Sequence, residues 1–190
     1  SSVFLSPHPL DNCRSVWLMI VMPDTHSDGA TTIRAATIAD AVTVADIDRA
    51  ARDAALPSVR WAHTPAQVRG WIAAVLLPRG GVWLAERDGA ALGYMALHAD
   101  WVEQLYIHPG HWRQGAGSAL LGHAKQRHPA GLRLWCFQVN AAARAFYEAQ
   151  GFAALVHTDG AGNEEREPDM LYAWPPTAWR HLSAAPPAVP

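Results

Sequence analysis

Three features of this chain combine residue types and spacing that could do chemistry. The first is the run Trp112-Arg113-Gln114-Gly115-Ala116-Gly117-Ser118, set between a strand-like pattern and a helical one. Glycines at such a junction let the backbone approach an anion closely, and the open N–H groups of a helix start, helped by the helix dipole, bind phosphate. Arg113 adds a charge. No Gly-Lys-Ser/Thr follows, so this is not a P-loop, and Leu120 stands where the dinucleotide fingerprint needs a third glycine. The run predicts a phosphate-bearing ligand without saying which. The second feature is Tyr147, a phenol that either packs on a sheet or delivers a proton. The third is Glu103, a strand carboxylate that is either exposed or a proton acceptor. Metal chemistry is not expected. The ten histidines are scattered, and only His108 and His111 lie close together, without zinc-type spacing.

The elements that must position these groups can be read from periodicity and punctuation. Residues 32–36 form a strand. Thr37 with Asp40 opens a capping box, and apolar positions at Ala41, Val44, Ala45 and Ile47 carry a helix that ends before Pro57. Thr64-Pro65-Ala66-Gln67 starts a second helix, whose buried face is Val68, Trp71, Ile72 and Val75 and which stops at 78–81. Strands at 82–86 and 91–98 flank Asp88-Gly89, a hairpin turn signal, and a third strand runs over 101–107. A helix over 118–127 precedes a nearly continuous apolar strand at 132–139, a pattern of burial on both faces. Asn140 caps a helix over 141–150 with Gly151 at its C′ position, and strands at 152–157 and 170–174 close the fold around a polar segment, 158–169. The order β-α-α-β-β-β-α-β-α-β-β is α/β with a mixed sheet.

Composition sets the outer limits. The chain has 190 residues, half of them apolar and 17% charged, which suits one domain of about 31–174 with a sizeable core. Residues 1–30 read as an irregular leader in which Met19 and Met22 are alternative starts, and residues 175–190 as an irregular Pro/Ala-rich tail. A net charge of -2 with no basic patch argues against nucleic acid. The longest N-terminal apolar run, 16–22, is too short for a membrane span and lacks signal-peptide flanks. Cys13 and Cys136 make no framework, so free thiols and a cytoplasmic location are expected.

Two segments resemble the GNAT acetyltransferases, in the right order. Glu103 through Pro109, continuing through Gly115-Ala116-Gly117-Ser118-Ala119-Leu120-Leu121, looks like that family's fourth strand, pyrophosphate loop and third helix. Asn140-Ala-Ala-Ala-Arg-Ala-Phe146-Tyr147-Glu-Ala-Gln-Gly151-Phe152 looks like its Asn-x-x-Ala-x-x-Phe-Tyr-x-x-x-Gly-Phe signature. The polar segment 158–169 resembles a feature of a bacterial subgroup. One departure is Trp112, where the family loop usually begins with Gln or Arg.

The resemblance implies a mostly antiparallel central sheet with helices on both faces, and acetyl-coenzyme A as cosubstrate. It implies that backbone groups of Leu105, Tyr106 and Ile107 meet pantetheine where the fourth strand bulges away from the fifth. The pyrophosphate then falls to Trp112, Arg113, Gln114, Gly115, Ala116, Gly117 and Ser118, and Asn140 contacts the pantetheine arm. Tyr147 becomes the acid for the departing thiolate, with Phe146 the core residue of that pair, and Glu103 the candidate base. Acceptor specificity should come from the first two helices and the last hairpin, where Trp61, His63, Trp71 and the run Glu164-Glu165-Arg166-Glu167 stand. That run is either a solvated loop or an acidic rim for a cationic amine. The expected activity is acetyl transfer to a primary amine of a small molecule by direct attack. The alternatives are a protein or peptide N-acetyltransferase and a non-catalytic acyl-coenzyme A-binding module. Many family members are dimers, so a homodimer is a possible state.

Overall fold

A computed structural model describes residues 30–182. Almost all of the expected leader, Cys13 and the end of the tail lie outside them. Seven strands form one sheet in the order β1-β2-β3-β4-β5-β7-β6. These are β1 (Thr32–Ala35), β2 (Val82–Arg87), β3 (Ala90–His98), β4 (Trp101–Ile107), β5 (Leu132–Phe137), β6 (Ala153–His157) and β7 (Asp169–Trp174). Every neighbouring pair is antiparallel except β4 with β5. The β2–β3 hairpin turns through Asp88 and Gly89, both at positive φ (51 and 79°), as a tight turn matched to strand twist requires.

The helices form where caps were expected. Asp40 Oδ2 accepts from the Thr37 N–H at 2.7 Å, and a 3-10 turn leads into α1 (Ala41–Ala55). Thr64 and Gln67 satisfy each other's backbone at the start of α2 (Pro65–Trp71). That helix ends at Arg79, inside the expected 78–81 stop. It passes through a π turn (Ile72–Leu76) into α3 (Leu77–Arg79). A proline lacks the N–H and crowds the carbonyl four residues back, and the wider turn before it accommodates both defects. α4 (Ala116–Arg127) and α5 (Ala141–Ala149) complete the set.

Two apolar clusters sandwich the sheet. On one face Val44, Ile47, Ile72 and Leu76 pack on Leu84, Tyr94 and Tyr106. On the other, Leu120, Leu121, Phe146 and Tyr147 pack on Met95, Leu105, Leu134 and Tyr172. Truncating any of these fully buried leucines to alanine costs about 2–5 kcal/mol.

The sheet is not continuous across its middle. β5 and β7 share six register pairs, whereas β4 and β5 meet at one, Trp101 with Arg133. Arg133 pins that junction. Its N–H donates to the Asp100 carbonyl at 2.8 Å, and its guanidinium bonds Asp100 at 2.6 Å while lying 4.3 Å from the Trp101 ring. Beyond it the strands diverge and leave a gap.

The tail departs from expectation. Pro176–Leu182 forms two short 3-10 turns broken at Trp179 (φ -119°), where the indole stacks 4.4 Å from the Arg133 guanidinium. One aromatic ring on a cation supplies the anchor that a Pro/Ala-rich composition does not advertise. Among the described residues no helix is long and apolar enough to cross a membrane.

Candidate active site

Helix α4 begins two residues earlier than its apolar pattern suggests. Gly115 is its N-cap, at φ 81° and ψ -7°, and the first intrahelical bond is Ala119 N–H to Gly115 O at 2.9 Å. The N–H groups of Gly115, Ala116, Gly117 and Ser118 are therefore the open donors of a 12-residue helix, aimed along its dipole. Only a residue at ease with positive φ turns the chain into the helix this abruptly. The loop is braced from the sheet. Arg87, ending β2, donates to the Gln114 carbonyl at 2.6 Å and to Thr31 Oγ1 at 2.7 Å. Arg113 sits at φ 63° and is exposed. The Trp112 indole N–H donates to the Ile107 carbonyl at 2.9 Å, tying the loop to the end of β4. Ser118 accepts from Gln150 at 3.2 Å, which joins α4 to the end of α5.

A bulge decides what β4 offers to the gap. Val102 pairs with Leu97 and Gln104 with Ala96, so Glu103 has no partner on β3. Because the His108 N–H bonds the Leu92 carbonyl at 2.9 Å, the alternation of an antiparallel ladder turns the backbone of Gln104 and Tyr106 toward β3. The backbone groups of Leu105 and Ile107 face the gap. Of the three residues expected there, Tyr106 instead sends its side chain to the α1 face and its backbone to β3. Glu103, on the bulge, is ion-paired with Arg79 at the end of α3. That contact occupies one of the oxygens a base would use.

Tyr147 is placed by the two ends of α5. Asn140 caps the helix, its Oδ1 accepting from the Ala143 N–H at 3.0 Å. At the other end the Gly151 N–H bonds Glu148 O at 2.9 Å and the Phe152 N–H bonds Tyr147 O at 3.0 Å, with Gly151 at φ 82°. This is a Schellman motif, and its apolar contact is Phe152 on the Tyr147 ring, 5.8 Å between centroids. Phe146 was expected to be the core member of the pair. Both are buried, and Tyr147 is the more so, at 1% exposure against 7%. Burial drives the Tyr147 phenol well above its ordinary value, with Cys136 and Tyr106 adding to the effect, so the ring arrives protonated at neutral pH. Cys136 itself is pushed up to about 12 by burial.

Across the gap, on the α1 face, lies a buried polar cluster that sequence reasoning did not single out. Arg52 pairs with Asp48 one turn earlier at 2.8 Å, both almost wholly buried. The Tyr94 hydroxyl donates to Asp48 at 2.7 Å and lies 2.9 Å from Gln104 Oε1. Burial pushes the Asp48 carboxyl up, against the pull of Arg52 and Tyr94. Arg52 also stacks 4.4 Å from the Trp61 ring and 5.8 Å from that of Tyr106. The available signal was a pair of opposite charges four apart on the apolar stripe of Val44, Ile47 and Ala51. A cavity of about 190 Å³ opens beside the cluster, lined by Ala45, Asp48, Arg52, Trp61, His63 and Val68 among others. The acidic run is not simply solvated. Glu164 bonds His63 at 2.6 Å, tying the β6–β7 loop to the start of α2, and Glu165 Oε2 is shut off from solvent. Trp71 packs within the apolar cluster beneath α1 and α2.

No group of three or more His, Cys, Asp or Glu side chains able to hold a metal gathers among the described residues. His108 Nδ1 instead accepts from the Gly110 N–H at 3.1 Å.

Comparisons with known proteins bear on the family and the fold. A profile of the Acetyltransferase (GNAT) family matches residues 46–152. The peptidyl-lysine N-acetyltransferase YiaC of Escherichia coli K12 is 31% identical over 128 residues, covering 63% of this chain and 85% of that protein. Among solved structures, apo YjaB of Escherichia coli superposes with a TM-score of 0.66 at 20% identity, over 77% of this chain and 98% of that one. The PaiA N-acetyltransferase of Thermoplasma acidophilum, solved with coenzyme A, gives 0.58 at 20% identity, over 76% and 98%.

Proposed function

This chain belongs to the GNAT acetyltransferase family, and on that premise we propose that it transfers acetyl from acetyl-coenzyme A to a primary amine of a small molecule by direct attack. One observation carries the small-molecule reading. The His63–Glu164 bond at 2.6 Å ties the β6–β7 loop to the start of α2, which supports a restricted rather than an open acceptor side. The cavity of about 190 Å³ beside Asp48, Arg52 and His63 suits a compact group, since a void of ~150 Å³ accommodates a benzene-sized ligand.

Acetyl-coenzyme A supplies the thioester. The open N–H groups of Gly115 through Ser118 hold its pyrophosphate, with Arg113 alongside. Trp112 acts on the cofactor through the Ile107 carbonyl that it braces. The backbone of Leu105 and Ile107 extends the sheet onto the pantetheine arm, and an N–H from this edge meets the thioester oxygen. A preorganised donor of that kind contributes ~3–4 kcal/mol. Asn140 fixes the start of the helix from which Tyr147 presents its proton to the leaving sulfur. Burial disfavours thiolate and tyrosinate alike, so the acceptor nitrogen's departing proton refills the phenol as it empties.

A specific observation favours a second reading, acetylation of a lysine side chain in a peptide: the similarity to a peptidyl-lysine N-acetyltransferase. A lysine side chain also fits the cavity. Acetyl-coenzyme A consumption, measured in parallel on small primary amines and on lysine peptides, separates the two. Faster turnover of free amines is expected, and turnover confined to peptides overturns the small-molecule reading.

A further inference from the structure

The β6–β7 loop holds a carboxylate that acetyl transfer as outlined leaves unused. Glu165 Oε2 is shut off from solvent and has no hydrogen-bond partner among the described residues. The loop is built to keep it there. Asn163 donates to Glu167 O at 2.8 Å and to Asp169 Oδ2 at 2.9 Å, and its own Oδ1 accepts from the Glu167 N–H at 3.1 Å. On the other side, Glu164 is fixed to His63. Between these anchors the Glu165 carboxyl is influenced by its own backbone N–H, by the charges of Arg52 of α1, its neighbour Glu164 and His63 ahead of α2, and it bears in turn on the Tyr106 phenol of β4. Arg52 is already paired with Asp48 at 2.8 Å. The neighbouring Glu164 reaches His63, a residue that lines the cavity beside Asp48 and Arg52.

Resting on the acetyl-transfer reading, we propose that Glu165 receives the acceptor's ammonium group and takes its proton, and that Glu103 is a structural partner of Arg79. An alkylammonium has a free pKa of ~10.4 and must lose a proton before its nitrogen can attack. That proton passes to the Glu165 carboxylate. The freed lone pair forms the C–N bond to the acetyl carbon, and the C–S bond breaks with its electrons going to sulfur. Tyr147 gives sulfur a proton and regains one from the same nitrogen. Glu165 passes its proton to water as the amide leaves, so each turnover releases one proton. Burial raises the Glu165 carboxyl above the usual carboxylate range, nearer the pH at which a base is effective.

The test is the pH profile of kcat/KM for a small primary amine at saturating acetyl-coenzyme A. The base must be ionised, so the wild-type rate rises with pH through the Glu165 pKa. Glu165→Gln should lower kcat/KM by about 100-fold and remove the inflection at the Glu165 pKa, leaving only a climb toward the amine's own ~10.4, while thermal midpoint and acetyl-coenzyme A affinity stay near wild type. Glu165→Asp should keep the inflection at a reduced rate. A Glu165→Gln enzyme that keeps the inflection, whether at full rate or as a destabilised remnant, overturns the assignment, as does loss of the inflection in Glu103→Gln instead. If wild type binds acetyl-coenzyme A but turns over no amine or lysine peptide, the acetyl-transfer reading itself fails and this assignment falls with it.

Discussion

On the α4 side of the gap, what the protein offers a ligand is backbone: four N–H groups at the start of a helix and the turned edge of β4 at Leu105 and Ile107. On the α1 side it offers side chains: Asp48, Arg52, Trp61, His63 and Glu164, drawn from a helix, the segment before the next helix, and a loop a hundred residues further on. The first set is local, because Gly115, the bulge at Glu103 and the pleat of one strand are enough to produce it. The second exists only when distant segments converge. A site for a ligand part shared by a whole family can be made of backbone, whereas selectivity for one acceptor needs side chains that can differ.

The contrast can be broken most forcefully on the side-chain face. Arg52→Met leaves Asp48 buried without its ion pair and should cost about 3–5 kcal/mol of stability, read from denaturant midpoints. Adding Asp48→Asn should recover part of that loss, since the two act as a unit. On the backbone face, Gly115→Asp strains a residue at φ 81° and sets a negative charge against the phosphate site. Calorimetry should show acetyl-coenzyme A affinity falling by about 100-fold, the equivalent of ~2.7 kcal/mol, with the fold retained by circular dichroism. Intact affinity would mean that the open helix end is not the cofactor site.

Tyr147→Phe probes the seam between the two faces. The ring packing survives, so acetyl-coenzyme A should still bind while kcat falls roughly tenfold or more. The folded phenol lies well above its ordinary value of 10.0, so in wild type the acid is fully present below that value and is lost only beyond it. The kcat profile should therefore stay flat on its alkaline side past the ordinary tyrosine range. The smallest effect is expected from Trp112→Phe, which removes the indole bond to Ile107 O and should cost about 1 kcal/mol of stability, with a weaker effect on cofactor affinity than Gly115→Asp.

Much of the fold was legible because its signals are short-range. Thr64 with Gln67, Asp88-Gly89 and Gly151 each announce a cap or turn within a few residues, and each forms as expected. The 78–81 stop also forms as expected, while the π turn just upstream of Pro78 went unannounced. Trp179 turned a stretch of nominal tail into packed structure. The candidate site divides along the same line. The loop at 112–118 and the helix carrying Tyr147 could be read from spacing. The orientation of Tyr106, the Arg79 contact of Glu103 and the burial of Glu165 Oε2 could not, because each depends on which residue a strand bulge skips or which segment lies opposite.

What the sequence determined by itself, then, is the order of elements, the glycine-led helix start and the helix that carries the phenol. These follow from backbone conformational preference and hydrophobic period, which act over a turn or a strand. The tertiary structure alone decided that Arg133 pins two half-sheets at one point, that the bulge turns Leu105 and Ile107 to the opening, and that Arg52 sits with Asp48 and two aromatic rings. A buried charge is tolerable only where partners from elsewhere in the chain meet it, and no local stretch of sequence specifies that meeting.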